Sequence, residues 1–231
     1  MALFIKDKSV IAGFTNRHEL DGRKVIQVIQ FLKRQPLHYR HLVIPVQTHS
    51  SNTVIVEESD FNEPKILKIN NCDGLITKLT GVILTVLTAD CLPLIFIDRK
   101  QKIIGISHQG WQGTLQLLPA KMVKAMEKLG SQRDNLEVYF GPSIGSCCYD
   151  ISEDRARLFQ KKFSSNILRK SDTKTYLNLS EANRQSLLRS AITKGNIYQT
   201  GRCTSCKRKQ FYSFRRDKKI VGEMLSFVVI T

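Results

Sequence analysis

The feature that most limits the fold is a set of short runs that are apolar at nearly every position, among them "GVILTVL", "LPLIFID" and "KIIGIS". A strand with one wet face alternates apolar and polar residues, whereas a strand apolar throughout is covered on both faces. Six more runs read as strands: "KVIQVIQFL", "HLVIPVQ", "NTVIVEE", "GLITKL", "LEVYFG" and "KIVGEMLSFVVI". Helical stretches are fewer. "GTLQLLPAKMVKAMEKLG" aligns Leu115, Leu118, Met122, Ala125 and Leu129 on one stripe, with Pro119 marking a first turn and Gly130 a C-cap. "SEDRARLFQKKF" opens on Ser152 as N-cap with acids in the first turn, and "SEANRQSLLRSAITKG" runs in the same way from Ser180 to Gly195. Strands outnumber helices without regular alternation, so the class is α+β or mixed α/β, with sheet layers covered by helices. No repeat, low-complexity tract or Pro/Gly/Ser linker interrupts the chain, and one domain over residues 1–231 is expected.

The most apolar run, "GVILTVLTADCLPLIFID", contains Asp90 and Pro93 and is too short to span a bilayer. The start, "MALFIKDKSV", lacks the long apolar stretch of an export signal. A soluble cytoplasmic protein without a membrane partner is the expectation, and its six cysteines are then free thiols or metal ligands. Cys203 and Cys206 form a lone C-x-x-C, half of a zinc site without a second half in sight, and are expected to be two thiols in a turn. The net charge is +16, and eight of the lysines and arginines fall in residues 200–219, interleaved with Phe211, Tyr212 and Phe214. Basic residues with aromatics can form a nucleic-acid surface. A solvated basic hairpin is the preferred reading, and the positive field also suits small anionic substrates, phosphate included.

Three segments place a metal-capable residue just after an apolar strand: "VIPVQTHSS" with His49, "LTVLTADCLPLIF" with Cys91, and "KIIGISHQGWQG" with His108. Two imidazoles and a thiolate suit a tetrahedral ion that keeps one position open. Such an ion lowers the pKa of bound water toward neutrality, and attack on an amidine-like ring carbon then needs a carboxylate to move protons. Asp73, in "NNCDGLIT", is preferred over Asp90 for that task, although an aspartate before glycine also makes turns. Trp111 either stacks on a purine or packs its turn. Of Cys147 and Cys148, one is expected to line the pocket and the other to pack.

"QTH", "CDGLIT", "TADCLPL", "HQGWQG", "GPSIGSCCYDI", "CTSC", "FYSFRRD" and "GEMLSF" occur in the order of the laccase-domain family, which this chain resembles over residues 14–227. These are bacterial proteins long labelled polyphenol oxidases and understood as zinc-dependent purine nucleoside phosphorylases. The resemblance implies a four-layer α/β/β/α sandwich with mixed sheets, and zinc bound by His49, Cys91 and His108. It implies phosphorolysis of adenosine, inosine, guanosine and methylthioadenosine, together with adenosine deamination. Asp73, Cys91 and His108 are then the expected catalytic residues, and Arg17, Gln47, Trp111, Cys148 and Arg215 the expected substrate contacts. The partners are purine nucleosides and phosphate, and the chain is a monomer or homodimer. Two departures bear on phosphate: Gln112 and Glu223 stand where the family usually has arginine, and Arg17 and Arg215 are the candidate substitutes.

Two other chemistries fit the same three residues. A copper ion suits two histidines and a cysteine, so Cu2+ is a second candidate ion and polyphenol oxidation a second activity. A multicopper cluster needs more histidines than the five present, His18, His38, His41, His49 and His108. A cysteine hydrolase would use Cys91 as nucleophile, His108 as base and His49 as orienting partner.

Overall fold

A computed structural model describes residues 3–6, 9–61, 65–218 and 222–231. Among these residues the fold is α+β, with two six-stranded mixed sheets, a small three-stranded sheet and six α-helices. The first sheet runs, in spatial order, β1 (Leu3–Lys6), β2 (Val10–Phe14), β15 (Met224–Ile230), β7 (Val82–Thr88), β3 (His41–Pro45) and β5 (Ile66–Ile69). Its first four strands pair antiparallel, and β3 then pairs parallel with both β7 and β5. The second sheet runs β14 (Ile197–Gln199), β10 (Leu136–Phe140), β8 (Leu92–Asp98), β9 (Ile103–Gln109), β6 (Gly74–Thr77) and β4 (Thr53–Ile55). The small antiparallel sheet joins β11 (Asp150–Ile151), β13 (Thr175–Leu177) and β12 (Leu168–Lys170).

Three apolar clusters explain why the central strands carry no polar face. Ala12, Val43, Leu84 and Val228 of the first sheet meet Leu75, Ile95, Ile97, Ile104 and Ile106 of the second in one cluster. The intervening residues Ile11, Leu42, Ile83, Phe227 and Val229 turn the other way, onto α1 (Val25–Lys33) through Val28, Phe31 and Leu32. Ile76, Leu94, Phe96, Ile103 and Val138 belong to a third cluster. It also holds Met122, Val123 and Met126 of α3 (Leu118–Lys128) and Ala182 and Leu187 of α5 (Leu179–Arg189). At roughly 25 cal/mol per Å² of apolar area, burial on both faces makes these strands the main source of stability. Residues of β8, β9 and β15 are buried at every position.

The helical expectations mostly hold, with instructive differences. "KVIQVIQFL" forms α1, not a strand. Its buried Val28, Phe31 and Leu32 fall at i, i+3 and i+4, so packing of one helical face overrides the β preference of valine and isoleucine. The stripe from Leu115 to Leu129 is split. A short α2 (Trp111–Leu115) ends before Leu117, which adopts φ 58°, and α3 begins with Pro119 in its first turn. Gly130 follows α3 at φ 101°, as a C-cap glycine should. Ser152 caps α4 (Glu153–Gln160) by accepting from the Arg155 amide. The cap of α5 is Asn178 rather than Ser180, and that helix stops at Arg189 instead of reaching Gly195, with Ala191 left-handed beyond it. The last strand, β15, begins at Met224; residues 219–221 of "KIVGEMLSFVVI" lie outside the described residues. Among the described residues no helix is long and apolar enough to cross a membrane.

Candidate metal and nucleoside site

The two sheets deliver three side chains to one point. His49 rides the loop that leaves β3 and takes a left-handed φ of 60°; Cys91 lies in the turn between β7 and β8; His108 is the penultimate residue of β9, opposite Pro93 of β8. Their donor atoms all lie within 4.8 Å of one another. The His49 and His108 rings meet edge to face at 4.8 Å, and Cys91 Sγ is 4.0 Å from His49 Nε2. Gly110 makes room for this: a Cβ there would sit 2.8 Å from His49 Cδ2 and 3.6 Å from Cys91 Sγ.

Behind this trio sits Asp73, fully buried. Its Oδ1 accepts from His108 Nδ1 at 2.8 Å and from the His49 amide at 3.1 Å. Its Oδ2 accepts from the Ser50 hydroxyl at 2.7 Å and from the amides of Ser50 and Thr48 at 2.8 and 3.1 Å. Burial alone would raise its pKa, but His108 and Ser50 outweigh that and hold it at about 2. Burial likewise pushes the Cys91 thiol up, and the two imidazoles overcome it, bringing it down to about 6. His108 is driven the other way. Burial disfavours its charge, yet the Cys91 thiolate and Asp73 lift it to about 10.

A cavity of about 580 Å³ opens over the trio, a size usual for small-molecule sites. His49, Cys91 and His108 are joined on its wall by Trp111, Tyr149, Arg155, Phe214, Arg215 and Glu223. Arg155 stacks over the Trp111 ring at 4.1 Å, and Arg215 lies 5.2 Å from the Tyr149 ring centre. Burial raises the Glu223 carboxyl above its ordinary value. Thr88 Oγ1, also on the wall, is buried and has no partner among the described residues.

The expected substrate contacts divide. Trp111, Gln47 and Arg215 line the cavity. Gln47 has both amide ends engaged, donating to Leu87 O and accepting from Leu87 N, so it ties its loop to β7. Arg17 is outside the wall; its guanidinium donates to Arg208 O and lies over Tyr212. Cys148 is outside too, its Sγ 3.4 Å from that of Cys206. Asp73 has no place on the wall, and Asp90, at φ 98°, turns its carboxylate to Thr204, Ser213 and the Arg215 amide. The sequence reading missed Arg155 and Tyr149. Tyr149 follows Cys148 directly in "GSCCYD", and Arg155 is an arginine in the first turn of α4, a place usually given to acids. In the basic segment, Phe211 is buried and Arg216 is spent on Asp217 and three backbone carbonyls, while Phe214 is exposed beside the cavity.

A family model described as "Multi-copper polyphenol oxidoreductase laccase" matches residues 16–231. "Adenosine deaminase RL5" from an unknown prokaryotic organism is 32% identical over 183 residues, 76% of this chain and 70% of its own. "Purine nucleoside phosphorylase YlmD" of Geobacillus stearothermophilus is 33% identical over 192 residues, 79% of this chain and 69% of its own. The crystal structure of YlmD from Geobacillus stearothermophilus superposes with a TM-score of 0.88 at 25% identity, covering 100% of this chain and 99% of that one. Among the described residues only two groups of three or more His, Cys, Asp or Glu converge closely enough to hold an ion. One is the trio, the other is made of cysteines, and His18, His38 and His41 belong to neither.

Proposed function

Because the chain belongs to the multi-copper polyphenol oxidoreductase laccase family, we propose that it is a zinc-dependent purine nucleoside enzyme that phosphorolyses or deaminates adenosine-type substrates. The observation that carries this reading is the convergence of His49, Cys91 and His108 beneath a cavity of nucleoside size. Relatives named for both reactions support it. The residues fit a borderline-soft ion: two imidazoles and a low-pKa thiol, with a glycine where any Cβ would intrude. Zinc held by these three would supply Lewis acidity and an activated water.

The chain's own residues supply the rest. Asp73 is a positioning residue here: by accepting a hydrogen bond from Nδ1 of His108 it fixes the ring, so that Nε2 would face the ion once its own proton is displaced. Trp111 and Tyr149 offer aromatic faces to a purine, and Thr88 Oγ1 is a polar partner for it. Arg155 offers a cation to phosphate, standing in for arginines absent at Gln112 and Glu223, and Arg215, whose Nη1 is engaged by the Asp150 carboxylate and carbonyl, offers its remaining guanidinium donors. Glu223, whose side chain accepts no hydrogen bond among the described residues, holds or releases the proton at the leaving base.

The test incubates zinc-loaded protein with adenosine, inosine, guanosine and methylthioadenosine, with and without phosphate, and follows free base, sugar phosphate and ammonia. Phosphate-dependent base release identifies a phosphorylase and phosphate-independent ammonia a deaminase. No product from any substrate overturns the proposal. The low pKa of Cys91 beside His108 also favours a second reading, a cysteine hydrolase. Alkylation separates the two: a metal-bound thiolate reacts faster after chelation, whereas a catalytic dyad reacts equally fast without it.

A further inference from the structure

The C-x-x-C of Cys203 and Cys206 does have a second half. Cys147 and Cys148, more than fifty residues earlier, meet it, and the four Sγ atoms lie within 4.8 Å of one another. Cys206 Sγ is 3.4 Å from the sulfurs of both Cys147 and Cys148. None of the four lines the nucleoside cavity, and all are free thiols. A disulfide needs sulfurs about 2.05 Å apart. Four sulfurs each about 2.3 Å from a common tetrahedral centre are about 3.8 Å apart, between the 3.4 Å of the two Cys206 pairs and the 4.8 Å that bounds all the pairs.

We propose that Cys147, Cys148, Cys203 and Cys206 bind one structural zinc ion as a closed tetrathiolate, separate from the His49, Cys91 and His108 centre. Binding exchanges four thiol protons for one Zn2+; nothing is oxidised, and the site carries a net charge of −2. The surroundings suit that charge. The Gly145 amide donates to Cys203 Sγ at 3.3 Å, and Arg202, Lys207, Arg208 and Lys209 flank the C-x-x-C. Gly145 also leaves space, since a Cβ there would come within 3.2 Å of Cys147 Sγ and 3.3 Å of Cys203 Cβ. Four thiolates disfavour hard ions such as magnesium, and a closed tetrahedral set of four cysteines is the ligand set of structural zinc.

The ion fastens two loops that a single isolated bridge, Ser143 to Cys203, otherwise joins as a ladder. The first loop turns at Gly145, whose carbonyl accepts from the amides of Cys148 and Tyr149, and it carries Ile144 and Tyr149 to the cavity wall. The second holds Thr204 and Ser213 against the Asp90 carboxylate and carries Phe214 and Arg215 to the same wall. The zinc thus holds together one side of the substrate cavity without touching substrate.

The experiment measures metal content of the full chain purified under reducing conditions. About two zinc ions per chain are expected in the native protein, about one in Cys91→Ser and about one in the Cys203→Ser/Cys206→Ser double variant. Cobalt-loaded Cys91→Ser should show the intense thiolate-to-metal charge transfer of an all-sulfur tetrahedral site. Should the double variant fail to fold, alkylation of the native protein with mass counting serves instead: these four thiols stay protected until a chelator strips the metal. Zinc-free Cys91→Ser, equal alkylation with and without chelator, or a mass deficit placing disulfides among the four would each overturn the proposal. All of these readouts are independent of nucleoside turnover.

Discussion

Replacing Asp73 by asparagine tests how the trio is held. The carboxylate is fully buried and accepts from six donors: His108 Nδ1 and the His49 amide on Oδ1, and the amides and hydroxyls of Thr48 and Ser50 on Oδ2. An asparagine has one acceptor oxygen and an NH2 that faces donors wrongly. Its better orientation still strands the two donors on the Oδ1 side. At about 1–3 kcal/mol for each buried unsatisfied donor, Asp73→Asn should destabilise the metal-free protein by about 2–6 kcal/mol. For a chain of this length that lowers Tm by at least about 4 °C.

The pH dependence sharpens the test. Asp73 titrates at about 2 in the folded protein against 3.8 ordinarily. A depressed carboxylate stabilises fully above its unfolded value and loses that contribution as pH falls through the folded one. The gap between native and Asp73→Asn proteins should therefore be flat only between about pH 5 and 6, narrow by about 2 kcal/mol as pH falls to about 2, and narrow again as pH rises from 6.5 toward about 10, where His108 loses the charge that Asp73 helps to hold. Zinc affinity at the trio, read by competition with a chromogenic chelator, should fall about 10–100-fold. Urea denaturation of chelator-treated protein gives the stability. A variant within about 0.5 kcal/mol of native stability, with unchanged zinc affinity, would show that the network carries neither load.

Other perturbations probe the remaining parts. Gly110→Ala puts a Cβ 2.8 Å from the His49 ring and should weaken zinc binding by displacing it; a metal titration identical to native refutes the close-approach reading. Arg155→Ala should raise KM for phosphate about tenfold, one charge-assisted contact, whereas Arg17→Ala, outside the cavity, should change it far less; the reverse order would relocate the phosphate site. Glu223 is held above the ordinary carboxyl pKa by burial, so as a proton donor it should lose activity as pH rises through that raised value. Glu223→Gln should abolish that limb and lower kcat about 10²–10⁴-fold, and a variant keeping the native pH–rate profile would free Glu223 of the role.

Much of this molecule was legible from sequence because its burial is regular. Strands apolar at every position implied sheets covered on both faces, whereas spacing alone pointed only weakly to the trio, and the family motifs around His49, Cys91 and His108 carried it. What escaped detection shares a cause: contacts across long stretches of chain. Cys203 and Cys206 looked unpaired because their partners, Cys147 and Cys148, arrive through a single bridge between Ser143 and Cys203. Arg155 is indistinguishable in sequence from any charged residue on an amphipathic helix until α4 is placed over Trp111. "KVIQVIQFL" satisfied both strand and helix patterns, and the wall of Ile11, Ile83 and Phe227 awaiting a helical face decided between them. Asp73 was noticed for chemistry it could reach only if exposed; the fold put it behind the imidazole instead.

The position of β15 has a bearing on synthesis. This strand occupies residues 224–230 yet lies between β2 and β7, with antiparallel partners on both sides. A nascent chain that has emerged only through residue 217 already contains every cavity residue but Glu223, while two inward edges of its first sheet remain open to any passing strand. Closure of that sheet must wait for the ribosome to release the seam that zips it. A stop codon just ahead of residue 224 would leave two unpaired inward edges in the first sheet, an aggregation-prone half-sheet, although nearly every residue of the cavity had been made.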